Sequence, residues 1–99
     1  MHLNKEDTQP QIGQYVKICK GRDRGFIAII VSIVDESQLL LADGKKRTFD
    51  RAKLKNLAHV ELLATVSPEV KRSLAETGRV TNAKLRHAIA TMQRAIRDE

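Results

Sequence analysis

The sequence predicts a small β-barrel of five short strands followed by a two-helix extension. Three observations carry that prediction. Between residues 14 and 66, short apolar runs rich in β-branched residues are separated by turns containing Gly and Asp. Aromatic residues make up only 3% of the chain, so a core must be built from Ile, Leu and Val, which favour strands. From Ser67 onward the apolar spacing becomes helical. The 99 residues suffice for one domain, or for a very small domain with an appendage. The expected division is a flexible leader over residues 1–11, a barrel over 12–66 and a helical extension over 67–99.

The first strand begins after Gly13, where residues 14–20 alternate with Val16 and Ile18 on one face and Lys17 on the other. Gly21-Arg22-Asp23-Arg24-Gly25 ends it, with a glycine at each corner of a tight loop. Residues 26–34, FIAIIVSIV, form the most apolar stretch; its β-branched content and the turn signals at both ends predict a long strand rather than a helix. Asp35-Glu36-Ser37 turns the chain into a third strand over residues 38–42. Asp43-Gly44 is a strong hairpin signal, which predicts a partner strand over residues 45–49. A basic segment over residues 51–55 then leads to a closing strand over 58–66. Closure of the five strands would leave no long unpaired edge.

The extension carries clear end signals. Ser67 stands as N-cap, Pro68 at the first helical position, Glu69 near the positive end of the dipole, and Gly78 as a stop. Val70 and Leu74 share a face. Thr81 or Asn82 caps a second helix, in which Leu85, Ile89, Met92 and Ile96 form one narrow apolar stripe. That stripe either packs on Val70, Leu74 and the barrel or docks on a partner protein or a second copy.

The net charge of +6 implies a polyanionic partner, nucleic acid or an anionic membrane surface. The tail has no Trp or Phe to anchor it in a bilayer, which disfavours the membrane surface. No apolar run approaches the roughly 18 residues that span a bilayer. A single cysteine, Cys19, permits no internal disulfide, and the expected location is the cytoplasm. Catalysis is not expected: His2, His59 and His87 are scattered, Cys19 has no partner visible in sequence, no pair has zinc spacing, and Gly21 and Gly25 lack the Gly-Lys-Ser/Thr of a nucleotide loop. No cofactor is expected.

The charge is concentrated rather than spread. From Lys17 to Lys55 there are ten Lys or Arg against five Asp or Glu. Lys20, Gly21, Arg22, Arg24 and Gly25 form the first basic connection, Lys45, Lys46 and Arg47 follow Asp43-Gly44, and Lys53 and Lys55 come soon after. In a barrel both loops can lie at one rim, with cations reaching phosphates beside open glycine backbone. The plainer alternative is a set of solvated turn residues. Base stacking needs aromatic platforms, and only Tyr15, Phe26 and Phe49 could serve, at least one of them in the core. Recognition is therefore expected to read the backbone and shape of a folded RNA.

Gly13-Gln14-Tyr15-Val16, Gly21-Arg22-Asp23-Arg24-Gly25, the long apolar strand ending Val34-Asp35-Glu36, and Leu40-Leu41-Ala42-Asp43-Gly44 together resemble the KOW-domain RNA-binding proteins of Gram-positive bacteria. Those proteins in turn resemble a large-subunit ribosomal protein of archaea and eukaryotes, the fourteenth of the eukaryotic-type series. The run from Lys53 to His59 is similar to the same family. The resemblance spans residues 12–59, a little over half the chain. It implies an SH3-like barrel with a KOW motif, and an RNA partner, ribosomal RNA or another part of the translation machinery. It places Gly25 at the glycine typical of the motif and Arg22 and Arg24 in the loop that meets RNA. The lysine run after Asp43-Gly44 is shorter than is usual in the family. The helical extension is expected to add charge or a contact with ribosomal proteins, and the rival reading is a protein-interaction module of the translation or transcription machinery.

Overall fold

The computed structural model describes residues 9–97, so most of the expected leader, residues 1–8 and with them His2, lies outside the described residues. The strands are β1 (Gln14–Ile18), β2 (Ile27–Ile33), β3 (Gln38–Ala42), β4 (Lys53–Asn56) and β5 (Val60–Val66), and the helices are α1 (Pro68–Thr77) and α2 (Asn82–Arg97). All neighbours pair antiparallel, in the order β4-β3-β2-β1-β5.

The expected barrel is not closed. Among the described residues no ladder joins β4 to β5, which occupy the two edges. The sheet is nevertheless curled, because only a 3-10 turn, Leu57–His59, separates those two edge strands in the chain. Four steps of backbone reach at most about 14 Å, whereas the edges of a flat five-stranded sheet lie about 19 Å apart. Register shifts between Gln14 and Val16 and between Ile30 and Ser32 supply irregularities at which the strands bend.

Curling explains why the apolar run of β2 does not alternate with polar residues. The inner face buries Val16, Ile18, Ala28, Ile30, Leu39 and Leu41 against one another, with Leu57, Val60 and Leu62 packed alongside. The outer face presents Tyr15, Ile29, Val31 and Ala42, and these pack with Val70, Val80, Leu85, Ala88 and Ile89 of the helical segment. A strand covered on both sides reads as a nearly continuous apolar run, as residues 27–31 do before Ser32. The stripe on α2 therefore packs on the sheet: Leu85 and Ile89 are buried and Met92 is packed beside them, while Ile96 is left exposed. The Tyr15 hydroxyl fastens the two layers, donating to the Ala88 carbonyl at 3.1 Å.

The cap signals act as read. The Ser67 hydroxyl accepts from the Val70 N–H at 3.3 Å, and Gly78 closes α1 at φ +74°. Thr81, not Asn82, caps α2 by accepting from the Lys84 N–H; the Asn82 side chain instead accepts from the Phe49 N–H at 2.8 Å.

The strand expected over residues 45–49 does not form. The Asp43 carboxylate accepts from the N–H groups of both Lys45 and Arg47, each at 2.9 Å, and folds the segment into a loop. A 3-10 turn, Phe49–Arg51, follows, and the pairing strand starts only at Lys53. Gly44, at φ +81°, packs so closely on α2 that a Cβ would run into the Asn82 carbonyl and the Leu85 side chain. The predicted closing strand also starts later, at Val60, because Leu57–His59 is the 3-10 turn.

Candidate nucleic-acid interface

Two basic loops meet at one end of the curled sheet. The first, between β1 and β2, is held by Gly25 N–H donating to the Ile18 carbonyl at 2.8 Å and Phe26 N–H donating to the Asp23 carbonyl at 3.1 Å. It leaves Lys20, Gly21, Arg22, Arg24 and Gly25 exposed, and it turns the Asp23 side chain inward. The second loop, between β3 and β4, brings Lys46 Nζ to 3.2 Å and Arg47 Nε to 3.6 Å from the Asp23 carboxylate. That carboxylate is only 7% exposed, while the Lys46 and Arg47 side chains remain 47% and 41% exposed. One acid thus clips the two loops together while its cations stay partly in solvent.

Strand β4 adds to the same mouth. Lys53 pairs opposite Leu41 and Lys55 opposite Leu39, so both lysines share the inner face of the sheet and Leu54 points outward into solvent. Inward-pointing charge of this kind blunts an edge strand against pairing with another chain. The Lys55 side chain is buried, and its ammonium occupies the space that a Cβ on Gly21 would need. Lys46, Arg47, Lys53 and Lys55 line the cleft that has Asp23 within it. Burial works to raise the Asp23 pKa, but the Lys46 hydrogen bond and the charges of Lys46, Arg47 and Lys53 outweigh it and hold the carboxyl below its ordinary value.

All ten residues singled out from the sequence therefore lie on the two loops and the strand that frame this mouth. Their environments differ. Lys20, Arg22, Arg24 and Lys45 make no salt bridge among the described residues, whereas Lys46 and Arg47 are engaged with Asp23 and Lys55 is buried. Sequence reasoning took Asp23 for a turn residue and overlooked its role as the clip. It also missed Arg86, whose guanidinium donates to the Gly44 carbonyl at 2.8 Å across 42 residues of sequence. No local signal could have shown that interaction. Cys19, expected in a strand, is exposed one residue beyond β1.

The aromatic residues divide as the fold requires. Tyr15 is buried, and Phe49 is partly buried beneath the Arg79 guanidinium at 5.1 Å. Phe26 is 46% exposed at the end of the first basic loop, with Lys46 Nζ 4.1 Å above its ring. Among the described residues no three His, Cys, Asp or Glu side chains gather to hold a metal, and no helix is long and apolar enough to cross a membrane.

Comparison with known proteins adds two findings. The KOW motif matches residues 12–41, which run through β1, the first basic loop, β2 and most of β3. The chain is also 45% identical over 71 residues to YbzG of Bacillus subtilis (strain 168), named as a candidate ribosome-binding protein; the alignment covers 72% of this chain and 96% of that one.

Proposed function

The chain belongs to the KOW-motif family that includes the Bacillus protein, and from that premise we propose that it is a cytoplasmic, ribosome-associated protein that binds ribosomal RNA through its clipped basic loops. In this role the curled sheet, residues 12–66, is a roughly SH3-like RNA-facing unit and residues 67–99 are its support. No catalytic step is assigned. One observation carries the proposal: the Asp23 clip joins two loops that, with β4, carry Lys20, Arg22, Arg24, Lys45, Lys46, Arg47, Lys53 and Lys55, against Asp23, Asp43 and Asp50 in the same loops. Such a surface suits binding to phosphates, whose contribution falls as salt rises because fewer counterions are then set free. Exposed Gly21 and Gly25 allow a sugar-phosphate chain to approach the backbone.

The triple variant R22Q/R24Q/K45Q tests this, since those cations hold no salt bridge among the described residues and their removal leaves the clip intact. Ribosome pelleting at rising salt, with and without nuclease, should show salt-labile, nuclease-sensitive association of the parent protein. The variant should weaken it and flatten the salt dependence by roughly 0.7–0.9 in log–log slope for each phosphate no longer neutralised. Salt-resistant association that survives nuclease, equal in both proteins, would instead establish a protein-interaction module.

A further inference from the structure

Beside the clipped loops lies a depression that the phosphate reading does not use. Its apolar side is formed by Phe26, Ile27, Ile89 and Ala90; Lys45, Lys46, Arg86 and Gln93 stand around it, as does Asp43, whose carboxylate is taken up by the N–H groups of Lys45 and Arg47. It lies between the second basic loop and α2, with Phe26 and Ile27 at the start of β2 on one side, so neither the sheet nor the helix makes it alone. An apolar recess with three cations against one backbone-bonded acid suits one unit of a nucleic acid, an anionic phosphate joined to a base with two apolar faces. Phe26 is the one aromatic side chain of the three that stays largely exposed, and it stands at the edge of the phosphate-binding loops. Lys46 Nζ lies over its ring at 4.1 Å, and the side chain nevertheless keeps 46% of its surface exposed. The Gln93 amide makes no hydrogen bond among the described residues and can donate or accept, as the edge of a base requires.

We infer that this depression seats one unpaired nucleotide of the bound RNA, its base against Phe26 and the Ile89–Ala90 face of α2 and its phosphate between Lys45 and Arg86. The inference rests on the RNA-binding reading above and narrows it: the protein prefers a bulged or looped nucleotide beside a helix over a fully paired helix. It also revises the sequence expectation that the RNA backbone and shape alone are read, because packing of α2 beside Phe26 makes a platform that composition could not reveal. A protein segment is the less suitable occupant, since the rim is cationic on two sides and the recess continues directly into the phosphate-binding loops.

The test compares two hairpin RNAs of equal length, one fully paired and one carrying a single-nucleotide bulge, titrated at fixed salt. The full chain should favour the bulged RNA by about 10-fold, within the range that one stacked base supplies. In F26L and, independently, in A90W, which fills the recess without deleting a group, the ratio of the two affinities should fall to about one. Circular dichroism reports whether each variant is folded, and either variant suffices. Equal affinity of the parent protein for both RNAs, or an unchanged ratio in a folded variant, would overturn the nucleotide seat while leaving the phosphate reading in place. Binding of neither RNA in a salt-dependent way would overturn the phosphate reading itself. Loss of binding to RNA-free ribosomal protein in A90W, with RNA affinities unchanged, would assign the recess to a protein.

Discussion

Replacing Asp23 with alanine tests whether the clip holds the loops. Asp23 faces two cations at 3.2 and 3.6 Å, and at an effective dielectric near 20 each charge pair is worth roughly 4–5 kcal/mol before any cost is counted. Desolvation of the carboxylate and ordering of two long side chains take back most of that gain. Solvent screening of the half-exposed cations reduces it further. The destabilisation expected for D23A is therefore about 1.5 kcal/mol, near the low end for hydrogen bonds to charged groups. For a domain of this size that lowers Tm by about 6–12 °C, and D23N, which keeps an acceptor for Lys46, should lose about half as much. Because Asp23 is held below its ordinary pKa in the fold, its stabilisation is full above the unfolded value of about 3.9 and is lost as pH falls through the folded value. Urea melts at pH 7 and at several points below pH 4 should show the gap between D23A and the parent narrowing with acidity. A D23A stability within about 0.3 kcal/mol of the parent at pH 7, roughly the error of additivity, or a gap independent of pH would refute the clip. The same variant frees Lys46 and Arg47, so its RNA affinity should depend more steeply on salt, by up to about 0.9 per cation released.

Other sites give simpler tests. G44A forces a side chain into α2 at a positive φ and should cost about 2–4 kcal/mol in thermal or urea unfolding; a cost under about 1 kcal/mol would mean that the loop does not rest on the helix. Tyr15 is the single tyrosine, so absorbance near 295 nm follows it alone; burial raises its pKa, and the stability this represents is full below about pH 10 and lost as pH rises through the folded value. An ordinary titration of Tyr15 in the folded chain would contradict its burial under α2. S67A removes the α1 cap and should cost about 1 kcal/mol, read as a lowered urea midpoint with an unchanged m-value.

The elements that could be read from sequence were those whose signals are local. Ser67, Pro68 and Gly78 mark α1 because capping is decided within one turn, and the β-branched run marks β2 because burial on two faces keeps residues 27–31 apolar without a break. The stretch after Asp43-Gly44 was misread because a hairpin signal says nothing of what packs above the turn. Here Asp43 captures two backbone donors and α2 sits against Gly44, so the strand is postponed to Lys53. The alternation Lys53-Leu54-Lys55 would ordinarily put the leucine inside; the register against Leu39 and Leu41 puts the lysines there instead, toward Asp23. The candidate basic residues were visible as clusters, but what gathers them was not. Asp23 is 23 positions from Lys46, and Arg86 is 42 from Gly44; both interactions exist only once the sheet has curled and α2 has docked.

The placement of β5 beside β1 bears on how the protein is made. While the chain grows, β1, β2 and β3 can assemble from neighbouring segments, but the other flank of β1 stays open until Val60–Val66 has emerged. Synthesis halted before that point releases a partial sheet of three or four strands in which β1 is a bare hydrogen-bonding edge, and its outer apolar face lacks the cover that Val70, Leu85 and Ile89 later provide. Prematurely terminated products of this gene should consequently be sticky, short-lived species, cleared by proteases or lost to aggregates rather than persisting as miniature binders.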